Sequence, residues 1–193
     1  MSSIEDRSVS QYRLLGKLLV ASPLLRDPNF EQSVVLVVAH DETSALGVVL
    51  NRATEVEVAA IIDGWEHLVA EPSVVFEGGP VQPEAAICVA RSQHGFDADG
   101  FSPFMDRIGT LDVTREPESF SGQLDGLRVF AGYAGWDAHQ LESEVAEGAW
   151  FVCDALPGDP FVEQPEDLWS MVLRRQSGLL AAVALFPSDP SLN

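Results

Sequence analysis

Residues 130–144, FAGYAGWDAHQLESE, place the strongest local constraint on the chain. Just upstream, Leu127, Val129 and Ala131 alternate with Arg128, Phe130 and Gly132, which is strand periodicity. Gly132 and Gly135 bracket Tyr133 and Ala134. Glycine lets a backbone turn through positive φ or lets a second segment pass close by, so a tight turn is expected here. Asp137 suits a helix N-cap, where its carboxylate would accept from the free N–H groups of the first turn. Ala138, Leu141 and Val145 share one face of the helix that follows, and Gln140, Glu144 and Glu147 share another. Gly148 fits the position just past the helix end, and residues 149–155 (AWFVCDA) read as the next strand. The unit is strand, helix, strand; parallel strands would require a right-handed crossover.

Strands dominate the chain before this unit. Residues 16–22 (GKLLVAS) form a first strand stopped by Pro23. The loop after it carries Asp27, Pro28 and Asn29, which is turn chemistry, and Phe30 is expected to anchor that loop in the core. Residues 34–40 (VVLVVAH) are a β-branched run of the kind buried on both faces. Residues 46–51 (LGVVLN) return after a short connection, which makes an antiparallel hairpin. Thr54 with Glu57 three residues on is a capping-box signature. Val58, Ile61, Ile62, Trp65 and Leu68 or Val69 follow helical spacing, so an amphipathic helix is predicted over 55–69, with Gly64 inside it.

Further strands are expected at 73–77, 85–91 and 108–113, with Gly78, Gly79 and Pro80 breaking the first. Residues 92–106 are polar and rich in Gly and Asp; with Phe96, Phe101 and Phe104 reading as exposed, they are expected to form a mobile loop. Residues 116–126 read as a short irregular or helical link. Pro165 suits the first turn of a helix reaching Arg175, with Leu168, Met171, Val172 and Trp169 as candidates for its apolar face. Gly178 ends that helix, and 179–186 read as a strand or extended tail. Hairpins first and a strand–helix–strand unit later argue for an α+β fold with a mixed, mostly antiparallel sheet. One domain across 1–193 suits this length, with residues 1–13 a loose polar lead-in.

Charge narrows the partners. Thirty Asp and Glu face 11 Lys and Arg, a net charge of −19. Nucleic-acid binding draws mainly on phosphate neutralisation by Lys and Arg, and the sequence has one adjacent basic pair, Arg174–Arg175. Residues 137–167 hold nine acids and no Lys or Arg. Direct DNA binding and docking on anionic membranes are both disfavoured. Cys88 and Cys153 each sit in an apolar run with no ligand spacing and read as small buried hydrophobes. No apolar signal region stands at the N-terminus. The longest apolar run, 179–186, is far short of the ~20 residues a membrane helix needs. A cytoplasmic protein is expected by elimination.

Six segments together point to a family: GKLLVASP (16–23), DPNFEQSVV (27–35), ALGVVLNR (45–52), FEGGPV (76–81), FAGYAGWDAHQLESE (130–144) with Trp150 after it, and DPSLN (189–193). In this order they resemble the YqgE/AlgH family of bacterial proteins. The resemblance implies a compact α+β fold whose bifurcated sheet curls into a pseudo-barrel, with helices outside. It implies no established enzymatic activity; one branch of the family is described as a transcriptional regulator of alginate synthesis. The chain departs from the family's Asn-Arg-Pro in having Ala53 after Asn51 and Arg52, which loosens the turn at that point.

Each candidate site residue has a structural counterpart to its functional reading. Gly78, Gly79 and Pro80 could present backbone N–H groups to an anion, or simply form a tight turn. Gly132 and Gly135 do not make a P-loop, and Asp137 would stand where a phosphate should go. Arg52 could clamp a carboxylate or phosphate with its planar fork, or form an ion pair with Glu77 or Glu142. Tyr133 and Trp136 could line a cleft or pack in the core. Gln140 and Glu144 could present polar groups to a ligand, or to a metal without any supporting His or Cys spacing. The expectation is therefore a binding or regulatory module without catalysis, cofactor or metal. Its cleft would be lined by Arg52, Gly78, Gly79, Pro80, Tyr133, Trp136 and Gln140, and its partner would be an unidentified small ligand or protein. The alternatives are a small-molecule hydrolase with Glu142 or Glu144 as general base, and an acidic protein–protein adaptor in transcriptional regulation.

Overall fold

The computed structural model describes residues 14–94 and 99–184; the expectations for 1–13, Phe96 and 189–193 lie outside them. Its strands are β1 Lys17–Ala21, β2 Val34–His40, β3 Ser44–Val49, β4 Ala53–Glu57, β5 Val74–Glu77, β6 Val81–Ser92, β7 Phe101–Met105, β8 Ile108–Leu111, β9 Leu124–Asp137 and β10 Trp150–Asp154. The α-helices are short: α1 Gln140–Ala146, α2 Leu168–Arg174 and α3 Leu179–Val183. The main path through the sheet runs β10-β1-β2-β3-β9-β6-β8-β7, antiparallel at each step. β4 pairs with β5, and β5 lies parallel to β9. This is the expected α+β architecture, a mixed and mostly antiparallel sheet curled into a half-barrel with flanking helices. The β2–β3 hairpin forms as its β-branched runs predict, with Val34 to Val37 inaccessible to solvent.

β9 joins the two parts of the sheet. Leu124 to Tyr133 pair with β6, Ala134 to Asp137 pair with β3, and Phe130 and Ala131 pair with β5. Its side chains consequently reach three cores. Leu124, Leu127 and Val129 pack with Trp65 and Phe120. Phe130 packs with Phe76, Leu36 and Val172. Ala134 and Trp136 pack with Leu19, Val35 and Trp150. Burying a side chain the size of Phe130 contributes about 1.5–3 kcal/mol relative to leaving it exposed.

The expected turn inside 130–144 does not form; β9 continues through Gly132 and Gly135 to Asp137. Gly132 instead accommodates a close crossing: it sits at φ +69, and a Cβ there would come within 2.5 Å of the Gly79 carbonyl oxygen. Asp137 does not cap α1. His139 holds the cap position at φ 63, and the Asp137 N–H donates to Gln140 Oε1 at 3.1 Å. Gly148 does close the helix region, at φ +81. The strands flanking α1 run the same way but have β1, β2 and β3 between them.

Three further expectations are corrected. The helix over 55–69 is replaced by β4 and two single 3-10 turns, Val58–Ala60 and Glu66–Leu68. Thr54 Oγ1 donates to the Val75 carbonyl at 2.7 Å rather than capping a helix, Ala53 and Glu57 pair across to β5, and Gly64 turns the chain at φ +86. The apolar spacing there serves packing, since Val58 and Trp65 are buried beneath the segment. The polar 92–106 stretch contains β7, with Phe101 buried and Phe104 half-buried against the core that holds Phe76 and Phe130. Residues 179–183 are the helix α3 rather than a strand, and Leu180 and Val183, three apart, are the pair that packs inward. Pro165 opens a 3-10 turn that leads into α2.

Candidate functional site

The loop between β1 and β2 is the element on which the candidate residues converge. The Asp27 carbonyl accepts the N–H groups of Phe30 and Glu31, and Asp27 Oδ1 accepts that of Asn29 at 2.9 Å. This closed turn directs Phe30 into the core, as expected. Its ring stacks on Trp136 at 6.5 Å between centroids and meets the edge of Trp150 at 5.5 Å. Arg52 reaches the same loop: Nη2 donates to the carbonyls of Pro28 at 3.2 Å and Glu31 at 3.5 Å. The anticipated ion pair of Arg52 with Glu77 or Glu142 is not formed, because the guanidinium is turned onto the loop backbone.

Trp136 and Gln140 meet through Glu144. Glu144 Oε2 accepts the indole N–H groups of both Trp136 and Trp150 at 2.9 Å, and Oε1 accepts from Gln140 Nε2 at 2.9 Å. Glu142 is engaged with His40, its Oε1 lying 2.9 Å from Nε2. The Leu14 N–H donates to the other ring nitrogen, Nδ1, at 3.1 Å, so the neutral ring carries its proton on Nε2. Both carboxylates therefore fasten α1 to the sheet.

Gly78, Gly79 and Pro80 form a backbone crossing over β9. The Gly78 N–H donates to the Ala131 carbonyl at 2.8 Å, and the Gly78 carbonyl accepts from Val49 at 2.9 Å. A Cβ on Gly79 would overlap the backbone of Tyr133 and Ala134. The Gly78 N–H that could have faced an anion is thus occupied. Tyr133 lies opposite Val81 at this crossing. Arg52, Trp136 and Gln140 are linked through the 27–33 loop, while Tyr133 belongs with the 78–80 turn.

On its other side the loop borders a cleft of about 420 Å³. Glu31 and Gln32 line it from the loop, Asn51 and Arg52 from the end of the hairpin, and Glu166, Asp167, Trp169 and Arg174 from the α2 region. Trp169 is buried and fixed there by its indole N–H, which donates to the Ala21 carbonyl at 2.9 Å. Asn51 splices the loop to β2: Oδ1 accepts the Val34 N–H and Nδ2 donates to the Gln32 carbonyl, each at 2.9 Å. The cleft carries both signs of charge, yet the ion pairs of the described residues lie elsewhere. Sequence reading named Arg52 here and missed Glu31, Asn51, Trp169 and Arg174. The available signal was the basic pair Arg174–Arg175, which the fold divides. Arg175 grips Asp159 through two hydrogen bonds of 2.7 and 2.6 Å, whereas Arg174 borders the cleft.

One buried cation also went unread. Arg128 is 1% exposed; its Nη2 donates to the Glu71 carbonyl at 2.7 Å, and its guanidinium lies 4.2 Å from the centre of the Phe76 ring. Nε and Nη1 have no partner among the described residues. Burial pulls its pKa down to about 10, which still leaves it charged at neutral pH. Burial likewise pushes the Cys88 thiol up to about 12, so this cysteine is held protonated in the core.

Comparison with known proteins places the chain. Residues 18–181 match the family model DUF179, described as AlgH-like. A UPF0301 protein of Streptomyces avermitilis is 51% identical over 184 residues, covering 93% of this chain and 95% of its own length. UPF0301 protein ML0028 of Mycobacterium leprae is 42% identical over 181 residues, covering 92% and 90%. The crystal structure of protein DIP2367 from Corynebacterium diphtheriae matches with a TM-score of 0.84 at 32% identity, over 89% of this chain and 92% of that one. The solution structure of the AlgH protein from Pseudomonas aeruginosa matches with a TM-score of 0.64 at 26% identity, over 90% and 94%. Among the described residues no helix is long and apolar enough to cross a membrane. With the family pattern spanning nearly the whole sheet and close relatives matching end to end, the chain belongs to the AlgH-like family, as its sequence motifs indicate.

Proposed function

We propose that this protein is a cytoplasmic binding module without catalysis, and that the cleft beside Arg52 takes a small charged ligand. The observation that carries the reading is Arg174. It lines the cleft, and its side chain has no hydrogen bond or ion pair among the described residues, in a chain where acids outnumber bases 30 to 11. Arg52 lines the same cleft with only backbone carbonyls as partners. A volume of about 420 Å³ falls in the range of roughly 300–1,000 Å³ usual for small-molecule sites. In this reading Trp136 and Gln140 support the site, because they seat Phe30 and so fix the loop that forms one wall. Gly78, Gly79, Pro80 and Tyr133 brace the sheet behind it. A hydrolase built on Glu142 or Glu144 has less support, since both carboxylates already hold structural partners. Any regulatory role would act through ligand or protein contacts, as a net charge of −19 disfavours nucleic acid.

The test is a thermal-shift screen of a broad metabolite panel against the wild type and Arg174→Ala at physiological salt. A ligand at 100 times its Kd stabilises by about 2.7 kcal/mol, which for a domain of this size raises Tm by roughly 5–10 °C. We expect such a shift in the wild type and its loss in the variant. A panel with no stabilising compound, or a shift unaffected by the variant, overturns the reading.

A further inference from the structure

We infer that the ligand of this cleft is a compact zwitterion, with a carboxylate at one end and an ammonium at the other, as in a short peptide with free ends. The inference rests on the reading of the cleft as a ligand site and adds the class of ligand. Its starting point is that opposite charges line one cleft without neutralising one another. Arg52 and Arg174 supply two guanidinium groups, and Glu31, Glu166 and Asp167 supply three carboxylates. None of these five takes part in an ion pair within 4.0 Å among the described residues. Four cations elsewhere are ion-paired, Lys17 with Asp154, Arg91 with Asp125, Arg115 with Asp99 and Arg175 with Asp159, whereas Arg107 and Arg128 donate to backbone carbonyls.

Specificity is a difference of affinities, and wrong ligands are rejected by unpaired or like charges. A purely anionic ligand would bring its charge toward three carboxylates, and a purely cationic one would meet two guanidinium groups. A ligand carrying both signs can satisfy both sets. The planar arginine fork suits a carboxylate through two parallel N–H···O bonds, and an ammonium has three donors to offer to carboxylate acceptors. The largely buried indole of Trp169 adds an aromatic surface to the lining. A net charge of −19 repels free anions at a distance, whereas a zwitterion has no net charge to be repelled.

The test is a titration followed by two-dimensional ¹⁵N–¹H NMR, using an equimolar pool of free dipeptides. Matched pools with acetylated N-termini or amidated C-termini serve as comparison, with inorganic phosphate and putrescine as single-sign probes. We expect the free pool to shift the signals of Gln32, Arg52, Ser170 and the Trp169 indole saturably. Blocking either end should weaken the effect at least tenfold. Arg174→Ala and Glu166→Gln should each weaken it at least fivefold while the rest of the spectrum stays in place, which reports an intact fold. Equal binding of a blocked pool, of phosphate or of putrescine overturns the zwitterion and leaves the cleft standing as a ligand site. Absence of any shift with the free pool also overturns the zwitterion, and the metabolite screen then decides separately whether the cleft binds anything.

Discussion

Glu144 shows how much a single side chain can organise in this fold. One carboxylate oxygen receives two indole N–H groups from residues on different strands, Trp136 and Trp150. The two rings, 6.1 Å apart and edge to face, form the socket for Phe30. A hydrogen bond to a charged group is worth about 1.5–3 kcal/mol, and leaving a buried donor without an acceptor adds its desolvation cost. Glu144→Ala is therefore expected to lower the free energy of unfolding by about 2–4 kcal/mol in urea titration. Glu144→Gln should cost less, since its amide oxygen still accepts; equal stability of the alanine variant and the wild type would remove Glu144 from this role. The sequence places Glu144 on a polar helix face with Gln140, which is correct for the helix alone. It could not reveal that this face turns onto two tryptophans, because that depends on where β10 returns. Arg128 was hidden for a similar reason. It occupies one phase of the β9 alternation, and only the close approach of Phe76 and of the Glu71 carbonyl makes that phase a buried one.

Among the elements, the strands were the most legible and the connections the least. Runs such as VVLVVAH announce themselves because buried strands need β-branched residues on both faces. The 55–69 stretch misled because apolar residues spaced three and four apart also occur where an irregular segment packs one side on a core, as Val58 and Trp65 do. The role of the 78–80 turn could be narrowed to a turn but not to a crossing, since glycine needed for positive φ and glycine needed for close approach look identical in sequence. The crossing can be tested. A methyl group at Gly79 would overlap the backbone of Tyr133 and Ala134, at a φ of +152 that side chains rarely adopt. Backbone cannot move aside as a flexible side-chain end can, so Gly79→Ala should destabilise by more than about 3 kcal/mol. Gly122→Ala is the control: it also has positive φ, but a Cβ there meets nothing within 4 Å. The control should lose only about 1 kcal/mol from backbone strain. Comparable urea midpoints for the two variants would show that the crossing has room to relax.

At the scale of the molecule, β9 makes a claim about cooperativity. Three hydrophobic cores could in principle melt one after another. Yet β9 pairs with β3, β5 and β6, and its side chains enter all three cores. Losing one core strips β9 of part of its burial and exposes the strand that the other two share. The four tryptophans are distributed to report on this. Trp65 sits in one core, Trp169 in a second, and Trp136 with Trp150 in the third. Incorporating 5-fluorotryptophan gives each its own ¹⁹F signal without altering any side chain's place. In a urea titration all four signals should lose native intensity at one midpoint with one slope, the pattern of a two-state unit. The cleft would then share that fate, because Trp169 is at once part of a core and part of the cleft, so a ligand bound there should move all four midpoints together. An earlier midpoint for Trp65 alone would mean that the β6–β8–β7 half unfolds by itself, and that β9 does not couple the cores.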